Sequence, residues 1–363
     1  MNRIKALDSC RGLAASIVVF QHIFTRFGDL FIGLRQTKIY DLLAFISSLN
    51  VVAVLFFFLL SGFSIRLSLK NGMPVDRPLL NEYLYKRFKR ILPLYVVALV
   101  FTFACGIAIH DINKADYGAR NLLGNLLFLQ TPQAYKGYWF SPFGENGPLW
   151  SLSFEMFYYL FFPPFIYCMM RVLAKRQLSL RDQRIILCVA FVLSVVCVVL
   201  NNKIFIPYIA FSKLFFVWYS GFFLGNLYTE KKMKFDINFL LIAVILVLSG
   251  MLSYLKKSDS LGELFVGVGI SIAFFSSCIL LKKLPAHFLA KAERSFNFLF
   301  FRIGKGSYAL YLLHFPVILV LKSFANVNIW MVVLSMILLT YTSIRLEEFF
   351  TKKKLRVFRL QYI

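Results

Sequence analysis

Charged side chains are scarce in this chain. Lys, Arg, Asp and Glu make up 16% of its 363 residues, and only 17 residues are acidic. Soluble domains carry roughly 25% charged residues, so a soluble enzyme with an ordinary solvated surface is excluded. Cysteine is sparse too. Cys10, Cys105, Cys168, Cys188, Cys197 and Cys278 form no CxxC pair and fall in or beside apolar segments. They read as small buried hydrophobes, which excludes a disulfide framework and a zinc ribbon, and no metal is expected. Internal repeats, low-complexity tracts and a soluble stretch at either end are lacking as well. What is present is apolar. Hydrophobic residues reach 59%, 42 of them are Phe, and the mean hydropathy is +0.71. One core in a chain of this size cannot bury so much apolar surface. The composition therefore predicts an all-α, polytopic transmembrane protein.

Ten apolar runs suit membrane spans: 9–27, 48–69, 90–110, 149–170, 185–201, 206–228, 237–255, 262–281, 304–322 and 327–348. Each matches a hydrocarbon layer of about 30 Å at 1.5 Å per residue. The net charge of +24 is spread as short basic clusters between these runs. That is the pattern of a membrane protein anchoring its inner side, and it argues against a nucleic-acid partner. With both termini placed in the cytoplasm, every inner segment is basic, and the inner segments hold more than twice the Lys and Arg of the outer ones. Arg3 and Lys5 precede an apolar stretch as in a signal peptide, but Asp8 and Arg11 interrupt it and no clear cleavage site follows. The expectation is a retained first span and one integral-membrane domain over 1–363, with no fused soluble domain. Residues 121–130 are apolar but too short to span, which suits an interfacial or re-entrant piece. The outer segment 111–148, with Tyr135, Gly137, Tyr138, Trp139, Gly144 and Gly147, suits a cover over an externally open site.

Ionisable groups inside a span are costly unless paired, and each is a functional candidate. Arg11 and His22 are eleven residues apart in the first span, so they share a helix face to within about 20° and are separated by roughly 16 Å along the axis. The alternative is a snorkelling arginine plus a packed histidine. Glu155 opens the fourth span at the depth that His22 has in the first, about 8–9 Å below the outer helix ends. A Glu and a His at one depth suggest a dyad in which the carboxylate orients the imidazole. The alternative is a carboxylate that caps the helix start or bonds a tyrosine. Ser61 and Gly62 stand in the inner half of the second span, where the glycine lets a ligand or another backbone approach. For this pair, helix packing is the stronger reading. Lys86, Arg87, Lys89 and Arg90 precede the third span and suit either a phosphate grip or a topology anchor. His314 lies mid-span in the ninth run, where a structural role is favoured over a second site histidine. Arg345, Glu347 and Glu348 read as an interfacial ion-pair anchor.

Five stretches together resemble one family. They are Arg11-x10-His22, Phe-Phe-x-Leu-Ser61-Gly62-Phe, Arg87-x-x-Arg90, Trp150-Ser151-Leu-Ser-Phe-Glu155 and Gly-x-Gly-Ser-Tyr308-x-Leu-Tyr-x-Leu-His314. In this order they are similar to the acyltransferase-3 family of integral-membrane O-acyltransferases, over about residues 5–348. The resemblance implies about ten spans in a bacterial inner membrane, an acyl group (acetyl being common) taken from cytoplasmic acyl-CoA, and a hydroxyl acceptor on an envelope glycan, a lipid-linked sugar or a small metabolite. It implies that His22 is catalytic and that Arg11, Arg87 and Arg90 serve the donor. Glu347-Glu348-Phe349-Phe350 lacks the proline that often follows the family's terminal Glu, so those glutamates stay outside the expected site.

The expected path runs inward to outward. Coenzyme A docks its phosphates at Arg87 and Arg90, helped by Lys86 or Lys89, and its arm threads past Ser61, Gly62 and Arg11. The thioester meets His22 and Glu155, with Trp150, Ser151, Tyr308 and His314 on the substrate side. His22 takes the hydroxyl proton, and an acyl-enzyme is the mechanistic alternative. A transporter or flippase with midplane His, Glu and Arg is the rival class, although no inverted repeat or clearly broken span favours it.

Overall fold

A computed structural model describes residues 5–69, 72–131, 139–203, 207–230, 260–283 and 286–360. Every regular element among them is helical. The helices are α1 (Lys5–Arg26), α2 (Lys38–Ser48), α3 (Asn50–Ser68), α4 (Arg77–Ala108), α5 (Ala119–Leu126), α6 (Trp150–Val172), α7 (Leu180–Lys203), α8 (Pro207–Ser212), α9 (Phe215–Thr229), α10 (Ser260–Lys283), α11 (Ala286–Lys305), α12 (Ser307–Lys322) and α13 (Ile329–Leu360).

Local chemistry sets several of the helix ends. Thr37 caps α2 by accepting the Tyr40 amide. Ser179 and Asp182 exchange backbone and side-chain hydrogen bonds at the start of α7, a capping box with Asp in place of Glu. The cap of α12 comes from far away in sequence. The Glu347 carboxylate on α13 accepts the amides of Tyr308 at 2.8 Å and Ala309 at 3.0 Å, where the helix dipole favours a negative charge.

Four helices among the described residues are long and apolar enough to cross a membrane: the merged α2–α3 rod Lys38–Ser68, α4, Leu180–Leu200 of α7, and Ile329–Thr351 of α13. The number is six if each of two bent pairs is one span. These are α1 with the turn Gly28–Leu34, bent by 84°, and α11 with α12, bent by 68°. The expected span 237–255 lies outside the described residues. The expected spans 149–170, 206–228 and 304–322 are helical but depart from plain apolar rods. Glu155 and serines dilute α6, a break at Lys213-Leu214 separates α8 from α9, and α12 has 16 residues. The basic cluster Lys86, Arg87, Lys89 and Arg90, expected just before the third span, lies within the 32-residue α4, which begins at Arg77.

Glycines bring two helix pairs into backbone contact. A side chain at Gly62 of α3 would run into the Trp218 carbonyl of α9, and one at Gly221 of α9 would meet the Leu59 carbonyl of α3. Likewise Gly12 of α1 faces the Phe300 carbonyl of α11, and Gly304 faces that of Asp8. Lipid supplies no hydrophobic push between helices, so close approach of small residues is how such pairs gain contact. Behind α3 the core is aromatic. Phe162 stands 4.7 Å from Phe222 and 5.2 Å from Trp218, ring centre to ring centre.

Candidate active site

Two cavities follow one another through the helix bundle. The outer one has a volume of about 500 Å³, within the range of ligand pockets. His22 lines it with Gln21 and Arg26 from α1, Trp150 from α6, and Tyr311 and Phe315 from α12. Pro142, Glu145, Gly147 and Pro148, from the segment 111–148, are also in its wall. The positions Tyr135, Gly137 and Tyr138 lie outside the described residues. The inner cavity is only about 60 Å³ and is lined by Arg11, Ser61, Arg90, Ser151, Glu155 and Tyr308 among others. Val54 and Tyr311 line both cavities and form the partition between them.

The depth match between His22 and Glu155 does not become a contact. Glu155 accepts from Ser61 Oγ at 2.8 Å and from the Tyr159 hydroxyl. Ser61 is also bonded to Tyr159 at 2.7 Å and receives the Trp218 indole N–H at 3.3 Å. The tyrosine-bonded alternative for Glu155 is therefore the observed one. Its charged neighbours are Arg11, Arg87 and Arg90. His22 instead faces His314, 5.3 Å between ring centres, with Phe315 edge-on at 5.0 Å. His314 is fully buried. Its Nδ1 lies 3.1 Å from the Leu310 carbonyl, and its Nε2 has no partner. The second histidine thus stands beside the first, as a purely structural His314 would not require.

The arginines divide into different environments. Arg11 is held within the protein by Asp8 at 3.2 Å and Ser64 at 2.5 Å. Arg87 is buried, donates to Ser68 at 3.2 Å, and lies against the rings of Tyr83 and Tyr159. Its Nε and the Tyr83 hydroxyl are buried and unpartnered, and both residues line a cavity of about 90 Å³ together with Lys86. Arg90 keeps exposed surface while lining the inner cavity, within electrostatic reach of Glu155 and Glu347. Lys86 pairs with Glu82, and Lys89 turns to the Tyr85 hydroxyl at 2.8 Å. Lys89 is thus engaged elsewhere than at the expected phosphate grip.

Among the remaining expected residues, Trp150 borders the outer cavity and packs edge-on to Phe154 at 5.1 Å. Ser151 bonds the Tyr311 hydroxyl at 2.8 Å beside the partition. The Tyr308 hydroxyl donates to the Ile91 carbonyl at 3.1 Å, one residue from Arg90. Gly62 lines neither cavity. It is the close-approach glycine of the α3–α9 pair, which corrects its assignment to donor binding.

Several supporting residues carry no motif of their own. Asn125, fully buried, donates to the carbonyls of Asn121 and Ser141 at 2.9 Å each and accepts the Phe143 amide at 3.0 Å. Gln130 donates to Leu149 O at 2.9 Å and to Tyr95 at 3.0 Å. Asn146 donates to Leu312 O on α12 at 3.0 Å and to Thr102 on α4 at 3.1 Å. These three amides fasten the outer segment, and residues 121–130 lie in this scaffold partly as α5. Gly144 and Glu145 both adopt left-handed backbone, φ 58° each, and a side chain at Gly144 would strike Tyr117. The turn brings Glu145 to Lys114 at 3.1 Å, while Asp111 takes the same ammonium at 2.7 Å. Hydrogen bonds to the two carboxylates hold Lys114 above the ordinary lysine range. Burial, with the charges of Asp111 and Glu145 adding, pushes the Tyr117 hydroxyl up to about 12. The buried Lys213 meets Glu263 at 2.6 Å, and Glu263 borders the outer cavity. The trace of that pair in the sequence is one charge in each of two apolar runs, Lys213 in 206–228 and Glu263 in 262–281.

A sequence model of the acyltransferase domain family matches residues 4–346. Acyltransferase MdmB of Streptomyces mycarofaciens is 29% identical over 205 residues, or 53% of this chain and 47% of MdmB. The match thus spans about half the length of that relative. No solved structure matches the chain.

Proposed function

From the premise that this chain belongs to the acyltransferase-3 family of integral-membrane O-acyltransferases, we propose that it moves an acyl group, acetyl in the first instance, from cytoplasmic acyl-CoA to a hydroxyl of an envelope glycan or lipid-linked sugar. The carrying observation is that His22 lies on a ligand-sized outer cavity that shares Val54 and Tyr311 with a second cavity lined by Arg11, Arg90 and Glu155. The acceptor enters from outside and the donor from the basic inner side. This goes with ten spans, both termini in the cytoplasm, and a bacterial inner membrane, for which the basic inner segments speak.

The coenzyme A phosphates sit at Arg90 and at the unpartnered edge of Arg87, which a charge-assisted bond to an anion satisfies. The inner cavity is too small for a pantetheine arm, so donor entry requires its lining side chains to turn. His22 takes the acceptor's proton, and the hydroxyl oxygen forms a bond to the thioester carbon. The carbon–sulfur bond breaks, and the thiolate leaves with the proton that His22 returns. Tyr311, held by Ser151, is the hydroxyl at the partition and donates to the carbonyl oxygen as it gains charge. His314 positions the base. With its Nδ1–H given to Leu310, its unpartnered Nε2 is left as an acceptor beside the His22 ring, and a turn of that ring on substrate binding brings a His22 N–H to it while the other His22 nitrogen faces the acceptor. Glu155 organises the inner cavity through Ser61 and Tyr159.

The test is release of coenzyme A thiol and transfer of labelled acetyl by the purified chain in liposomes, alongside mass spectrometry of envelope glycans with and without the protein. Transfer that falls roughly 10²–10⁴-fold in His22→Ala supports the reading. Absence of acetyl-CoA turnover with every glycan acceptor, or near-normal turnover in His22→Ala, overturns it.

A further inference from the structure

One strongly basic surface takes no part in this chemistry. On α11, Lys291, Arg294, Phe298, Arg302 and Lys305 fall within about 80° of one another at 100° per residue. Lys291, Arg294 and Arg302 are exposed, and Phe298, at the centre of the row, is 83% exposed. The one acid on the helix, Glu293, lies about 140° around from Phe298 and accepts from Asn297 at 3.3 Å. The face that packs on α1 is also turned well away, because Phe300 and Gly304 meet the backbone of α1 there, and Asn297 bonds Ser9 at 2.6 Å. Three exposed cations thus surround a bare phenyl ring, and the half-buried Lys305, whose ammonium lies over the Phe301 ring at 4.8 Å, ends the row.

The placement of α11 gives this face its surroundings. It is bent by 68° from the apolar α12, so if α12 crosses the bilayer, α11 lies closer to the membrane plane than to its normal. The junction stands level with the inner cavity, since Tyr308 in the first turn of α12 bonds Ile91 next to Arg90. Beside the row runs a groove of about 630 Å³ lined by Lys5, Arg294, Phe298, Phe301 and Arg302 together with Asn297 and Glu293, so its walls carry three cations against one carboxylate. An interfacial helix with basic residues and an aromatic side chain among them attracts anionic lipid through charge while the ring enters the acyl boundary.

We infer that α11 is a docking surface for anionic phospholipid: Arg294 and Arg302 hold the headgroup phosphate in the groove, Lys291 and Lys305 extend the positive field, and Phe298 inserts among the first methylenes. Charge complementarity carries the choice of occupant, because a zwitterionic headgroup brings its own cation into the same field. α11 runs into α12 through Gly306, where Ile344 leaves no room for a side chain. A lipid that seats α11 therefore also seats the helix that bears Tyr308, Tyr311 and His314.

The experiment is native mass spectrometry of the full chain in a neutral detergent, with equal amounts of phosphatidylglycerol and phosphatidylcholine. Phosphatidylglycerol should be retained preferentially, and its retention should fall as salt rises. A cation near an anionic surface is worth about 1 kcal/mol, or about fivefold. The double variant Arg294→Gln/Arg302→Gln should therefore lose roughly 20–30-fold in phosphatidylglycerol affinity. Arg35→Gln/Lys38→Gln, at the start of α2, should lose none. Equal retention of the two lipids, salt-independent retention in the wild type, an undiminished double variant, or displacement by millimolar inorganic phosphate overturns the inference. The salt dependence needs no variant, so the test stands even where the double variant melts early.

Discussion

The decisive perturbation is a pair of double-mutant cycles sharing His22→Ala. One combines it with His314→Gln and the other with Glu155→Gln. Removing a general base costs roughly 10²–10⁴-fold, or about 2.7–5.4 kcal/mol of barrier. His314 touches the reaction only through His22, whose ring is 5.3 Å away. Its replacement removes the orienting hydrogen bond proposed for the substrate-bound state, worth about 0.5–1.5 kcal/mol, so His314→Gln should slow wild-type transfer about 2–10-fold. In the His22→Ala background it should cost nothing further, because nothing is left to orient. Glu155 is bonded to Ser61 and Tyr159 on the other cavity. Glu155→Gln should therefore cost the same factor with or without His22, within about 0.5 kcal/mol. The assay is transfer of labelled acetyl from acetyl-CoA in liposomes, read as kcat and KM separately, with thermal melting to confirm folding. The His314 change should appear in kcat and Glu155→Gln in the KM for acetyl-CoA. If His314→Gln keeps its full cost in the His22→Ala background, the two histidines do not act as one unit. If the cost of Glu155→Gln vanishes there instead, Glu155 works through His22 after all, and the separation of the cavities has been misread.

Four further outcomes follow from particular contacts. Arg90→Ala should raise the KM for acyl-CoA about 10–100-fold at unchanged melting temperature, the worth of a charge-assisted phosphate contact, whereas Arg87→Ala should also lower the melting temperature because the residue is buried against Tyr83 and Tyr159. Unaltered coenzyme A binding by calorimetry in both would leave this row without a donor role. Gly62→Ala should destabilise the α3–α9 pair by about 1–3 kcal/mol, seen as a lower melting temperature in detergent, because the new methyl meets the Trp218 carbonyl; normal melting with lost coenzyme A binding would restore its ligand role. Trp139→Cys in a chain without native cysteines should react with an impermeant maleimide from outside, and Arg176→Cys only after the membrane is opened; the reverse labelling would invert the orientation. The raised Lys114 contributes order to the outer loop fully below the ordinary lysine range and loses it only as pH climbs through the raised value. Limited proteolysis of that loop should therefore be flat between about pH 6 and 9 and should speed up in Asp111→Asn/Glu145→Gln at every pH in that interval.

The helical repeat alone put Arg11 and His22 on one face of α1, and the cavities bear this out, since Arg11 lines the inner one and His22 the outer. The roughly 16 Å between them is the spacing of two compartments. The same arithmetic on Glu155 gave a depth and nothing more. Depth is a property of one helix, whereas the direction in which a side chain points depends on how that helix is turned against its neighbours. Here the neighbours are Ser61 from α3 and Trp218 from α9, brought close by Gly62 and Gly221. Gly62 was readable as a site of close approach, but not what approaches it. Tyr159, four residues after Glu155, was within reach of a local reading because side chains at that spacing meet on a helix. Glu347 was not. Its local signature, an acid beside Arg345 and Glu348, fits an interfacial ion pair, and Glu348 does lie 3.6 Å from Arg345. Glu347 itself closes the first turn of α12 from 39 residues away. That cap fixes the start of the helix on which Tyr308, Tyr311 and His314 recur at intervals of three, so a carboxylate with no motif of its own sets the register in which His314 meets His22.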